Sequence, residues 1–120
     1  MEKRVFALGC LLAALAVGLG AFGAHGLSGL LDARGTELYR TAIQYLMFHA
    51  VGVMLAAVGG GRLAQSAAAL FCLGSVLFCG SLMALALHAP GWFGAVAPLG
   101  GASFLVGWLV LAFSALRSGR

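Results

Sequence analysis

Residues 63–116 read LAQSAAALFCLGSVLFCGSLMALALHAPGWFGAVAPLGGASFLVGWLVLAFSAL, a run of 54 residues without one Asp, Glu, Lys or Arg. A helical crossing of a hydrocarbon core about 30 Å thick needs roughly 20 apolar residues. The run is therefore long enough to cross twice, reversing at His88-Ala89-Pro90-Gly91. A water-soluble domain does not leave so long a stretch without a solvated charge.

Two further apolar segments lie N-terminal to this run. Val5 to Ala24 carries no charge, and Thr41 to Gly60 is interrupted only by Gln44 and His49. The expectation is an all-α membrane protein, a single integral membrane domain over 1–120, with spans near 5–24, 41–60, 64–88 and 93–116. Pro90-Gly91 and Gly59-Gly60-Gly61-Arg62 mark tight reversals, so four transmembrane helices form an up-down bundle. Composition agrees: 62% of residues are hydrophobic, 8% are charged and the mean hydropathy is +1.07. The net charge of +4 is spread over single residues near turns and ends, not gathered in a stripe. That excludes a nucleic-acid footprint and reads as topology. Lys3, Arg4, Arg62, Arg117 and Arg120 fall on one side; Arg34 and Arg40, offset by Asp32 and Glu37, fall on the other. This five-to-two split predicts both termini in the cytoplasm of a multi-pass bacterial inner-membrane protein.

Glu2-Lys3-Arg4 followed by an apolar stretch and Ala21-Phe22-Gly23 resembles a secretory signal. The stretch exceeds the usual 7–15-residue signal core, and three more spans follow, so an uncleaved helix is expected. Ala7-Leu8-Gly9-Cys10 has too few apolar residues before it to be a lipoprotein box. Between the first two spans, Leu27, Leu30, Leu31, Leu38 and Tyr39 alternate with Ser28, Asp32, Arg34 and Glu37. This pattern predicts a short interfacial helix, with Asp32 or Thr36 capping the second span.

Small residues crowd the first and fourth spans: Gly18, Gly20, Gly23 and Gly26, with Ala16-xxx-Gly20-xxx-Ala24 in one row, then Gly94, Gly100, Gly101 and Gly107. Helices in lipid associate through close backbone packing, which such residues permit, within one copy or between copies. Pro98 is expected to kink the fourth span or delay its start.

The second span holds the polar cluster. Glu37, Thr41, Tyr45 and His49 form an i, i+4 row flanked by Arg40 and Gln44. One reading is a proton-carrying or ligand-binding stripe ending at His49; the other is a buried histidine hydrogen-bonded to Tyr45 or a neighbouring helix. His25 and His88 lie near the outer turns. The three histidines lack ligand spacing, so no metal or other cofactor is expected. Cys10, Cys72 and Cys79 form no disulfide framework, and Ser75, Ser81, Ser103 and Ser114 have no acid–base partner. Trp92, Phe93 and Tyr39 are expected interfacial anchors, and Trp108 an internal packing residue.

Four stretches together resemble the bacterial domain of unknown function 423 family, related to transmembrane protein 256. They are Gly20-Ala21-Phe22-Gly23-Ala24-His25-Gly26-Leu27; Thr41-Ala42-Ile43-Gln44-Tyr45 with Phe48-His49-Ala50; Gly80-Ser81-Leu82; and Pro98-Leu99-Gly100-Gly101 with Gly107-Trp108. The resemblance implies an inner-membrane protein of several spans and no established activity. It makes Tyr45, His49, His25 and Gly26 candidate site residues, while Leu46 and Met83 stand where the family usually has Gln and Tyr. The expected function is non-enzymatic. The protein would be embedded in the lipid bilayer, associated with itself or with other membrane proteins, and independent of nucleic acid. A small carrier or channel lined by the Glu37–His49 stripe is the alternative.

Overall fold

A computed structural model describes residues 1–118 of the chain. Four long helices follow one another: α1 (Lys3–His25), α2 (Ala33–Gly59), α3 (Gly61–Ala86) and α4 (Phe93–Ser118). Each is long and apolar enough to cross a membrane. Arg120, one of the charges used to orient the chain, lies outside the described residues.

The separate interfacial helix expected between the first two spans does not form. Gly26–Leu31 make turns, and residues 33–40 are the first two turns of α2, which starts eight residues before the expected Thr41. Two forces set this start. The Asp32 carboxylate accepts the Gly35 N–H at 2.6 Å, satisfying one of the unpaired donors of the first turn. Leu27 and Tyr39, with Leu31 and Leu38, then pack inward against Ala86 instead of lying on a lipid surface. Tyr39 is thus no interfacial anchor: it is buried, and its hydroxyl donates to the Leu19 carbonyl of α1 at 2.6 Å.

The connections follow backbone chemistry. Gly60 and Gly61, at φ 70° and 89°, turn the chain from α2 into α3 in a left-handed conformation that side chains resist. At the far end of α3, the Ala89 N–H bonds the Ala84 carbonyl and the His88 N–H that of Leu85, with His88 at φ 68°. This is the Schellman closure, with histidine where glycine is usual. Within α3, Ser75–Cys79 form a π turn between Gly74 and Gly80. In α4, Pro98 sits inside the helix without ending it.

Antiparallel neighbours pack in pairs. α1 lies along α2, α4 along α3, and α2 joins the pairs through α3. The Cα envelope measures 53 × 27 × 17 Å, a flattened arrangement with α1 at one edge. Alanines dominate the contact layer, Ala16, Ala42, Ala56, Ala64, Ala67 and Ala68 among them, which lets backbones approach closely. Ser103 adds a cross-helix bond, donating to the Leu70 carbonyl at 2.7 Å.

Candidate functional site

His49 lies two-thirds of the way along α2, where that helix meets α3 and α4, and is only 5% exposed. Its Nδ1 stands 2.7 Å from the Tyr45 carbonyl, and the Trp108 Nε1–H donates to its Nε2 at 3.0 Å. An indole nitrogen can only donate, so Nε2 is the acceptor and Nδ1 carries the proton toward Tyr45. Both ring nitrogens of a neutral imidazole are then satisfied, as a hydrocarbon setting demands.

Rings surround the imidazole. Phe104 stacks on it with centroids 3.5 Å apart and planes 12° from parallel. Phe71 approaches at 5.4 Å and Trp108 at 5.8 Å, both tilted. Tyr45 extends the cluster to Phe78 at 4.7 Å. Glycines make the room. A Cβ at Gly52 would come within 3.0 Å of the Phe71 ring, and one at Gly74 within 2.5 Å of Phe104. One at Gly107 would approach Phe71 to 2.7 Å, and one at Gly100 would collide with the Phe78 backbone. The glycine–aromatic pairing is how three helices close on a ring cluster.

The polar row does not reach this cluster as one stripe. Each i, i+4 step rotates about 40°, so three steps from Glu37 to His49 turn the row by about 120°. Glu37 and Arg40 are exposed and pair with each other at 3.3 Å. Thr41 is half-buried, and Gln44 is exposed beside α1. Tyr45 and His49 face α3 and α4. With both ring nitrogens hydrogen-bonded, His49 ties α2 to α4 through the Trp108 indole.

The remaining candidates scatter. His25 and His88 are exposed at the ends of α1 and α3. Among the described residues, no three His, Cys, Asp or Glu side chains converge on a possible ion. Gly23 is needed against the Tyr39 ring, and Gly26 closes α1, its N–H bonding the Phe22 carbonyl. Added Cβ atoms at Gly18, Gly80 and Gly101 would meet nothing within 4 Å, and one at Gly20 only Ile43 at 3.7 Å. These four glycines therefore do not hold the monomer together. Ser81 bonds the Leu77 carbonyl within its own helix, and Pro98 is exposed. Sequence reading missed Phe71, Phe78 and Phe104; the available signal was Gly52, Gly74, Gly100 and Gly107 placed opposite them.

A family model described as protein of unknown function (DUF423) matches residues 19–101. The membrane protein YwdK of Bacillus subtilis is 39% identical over 120 residues, covering 96% of this chain and 98% of that protein. A membrane protein of Haemophilus influenzae is 36% identical, with 98% of both chains covered. The inner membrane protein YgdD of Escherichia coli is 38% identical over 108 residues, covering 87% of this chain and 82% of its own. No solved structure matches the chain significantly.

Proposed function

The chain belongs to the DUF423 family of membrane proteins, to which no activity is assigned, and we propose that it works by helix–helix association, as a homo-oligomer or an accessory subunit of a membrane complex. The observation that carries this reading is the outward face of α1. In its most apolar window only 11% of residues are buried, against 44% in α2. One side of α1, with Gly9, Ala16 and Gly23, is taken by α2. The opposite side presents Ala7, Ala14, Gly18 and Ala21 within about 60° of one another, all exposed. A face that needed only lipid contact has no use for such small residues, whereas a face that meets another helix does.

The role is non-enzymatic: the titratable groups are dispersed, and the buried histidine is fully engaged. A carrier path along α2 finds less support, because the polar row turns from the exposed, ion-paired Glu37 to the enclosed ring cluster around His49. The inner membrane is the proposed location, in keeping with the name of the Escherichia coli relative. The basic residues favour cytoplasmic termini.

Native mass spectrometry of the protein released gently from its own membrane tests the proposal. Wild-type chain is expected in a fixed multiple or with other polypeptides. Gly18→Leu, whose Cβ would meet nothing within 4 Å in the monomer, should release free chain with unaltered thermal stability. Gly100→Leu should unfold the monomer itself. Identical mass distributions for wild type, Ala14→Leu and Gly18→Leu would overturn the reading.

A further inference from the structure

We propose that the groove between α1 and α2 holds one phospholipid, drawn from the leaflet opposite the chain termini, with its phosphate on Arg40 and an acyl chain along the apolar floor. Two hollows make up the groove, about 690 Å³ and about 580 Å³, and they share Gly20, Ile43 and Gln44. They lie where α1 carries glycine: a Cβ at Gly20 would already reach van der Waals contact with Ile43, at 3.7 Å.

The lining changes character with depth. The upper hollow carries Arg40, Thr36, Gln44 and Ser28. The lower one is floored by Val17, Met47, Phe48 and Val51 and is almost wholly apolar. From Arg40 to Val51 the helix advances about 16 Å, half of a hydrocarbon core about 30 Å thick. The groove is thus one leaflet deep, polar at the headgroup level and apolar toward the midplane. That gradient matches the length and polarity profile of a phospholipid in one leaflet.

Arg40 supplies the charge complement. Its side chain is 72% exposed, and its Nη1 donates to the Glu37 carboxylate at 3.3 Å. A guanidinium presents a planar fork that fits phosphate oxygens, and its long stem can lie on the apolar wall beneath.

The test is a native mass spectrometry titration of the full chain in a mild detergent, with dioleoylphosphatidylglycerol and dioleoylglycerol as probes. The phosphatidylglycerol should bind once per chain, and the uncharged diacylglycerol should not bind at comparable concentration. Arg40→Gln should weaken the phospholipid about tenfold, the scale of one lost charge-assisted contact. Gly20→Leu, which puts a side chain into the groove, should abolish binding, with thermal stability measured alongside to show that the fold is kept. Equal affinity for both probes, or phospholipid binding unchanged in both variants, would overturn the proposal. So would a chain multimer that Gly20→Leu dissociates while no lipid is retained by wild type.

Discussion

His49 and Trp108 form a polar pair that each needs because of the other. The indole N–H ends on Nε2 at 3.0 Å, inside a shell of phenylalanine rings. Removing one partner leaves a buried polar atom unsatisfied, whereas removing both leaves only apolar contacts. Trp108→Phe should therefore destabilise by about 1 kcal/mol, the scale of interhelical polar bonds in membranes. His49→Phe with Trp108→Phe should recover part of that loss, so a double-mutant cycle followed by thermal unfolding in detergent gives positive coupling. Zero coupling would mean that the bond contributes nothing. The sequence made His49 conspicuous, because an ionisable group in a span always is. It could not supply the partner: Trp108 is 59 positions away, and only the placement of α4 against α2 brings them together. Tyr39 was misread for a related reason. Tyrosine near a span end normally sits at the interface, but Gly23 opens a slot that admits its ring.

Single helices show what local chemistry decides and what it does not. The reversal at Gly60-Gly61 was legible, since two left-handed residues in succession call for glycine. The early start of α2 was not. Asp32 was recognisable as a cap, but whether Leu27, Leu31 and Leu38 lie on lipid or fold inward depends on Ala86, far along the chain. The π turn at Ser75–Cys79 left no mark in the apolar pattern, because Ala68, Phe71, Ser75, Cys79 and Leu82 keep three- and four-residue spacing across it. At the end of α3, His88 holds the left-handed closing position at φ 68°. His88→Gly removes its steric penalty and should stabilise the protein by about 1 kcal/mol, read as a higher melting temperature. A lower melting temperature would show that the imidazole makes contacts worth more than the strain.

For the whole molecule, the membrane setting and four helices followed from apolar length alone, which is why the 63–116 run was decisive. Orientation rests on where basic residues fall, and reporters settle it directly. A fusion at Arg62 should read cytoplasmic and one at Ser28 external; the reverse pattern would invert the topology. How the helices are arranged was less legible. Small residues on both faces of α1 announce close packing without saying which face meets α2, and the flattened 53 × 27 × 17 Å envelope follows from that choice.

The pairwise packing also bears on how the chain reaches its final form as it enters the bilayer. The first hairpin carries its own latch, Tyr39 onto Leu19, and the second carries Ser103 onto Leu70. Among the described residues, the side-chain hydrogen bond that joins the halves is Trp108 to His49. The internal contacts thus divide at Gly60 into two hairpins. The ribosome delivers the first hairpin with its internal contacts available, then the second. The imidazole gains its indole partner only once α4 lies against α2, so the ring cluster closes after both hairpins are in the bilayer.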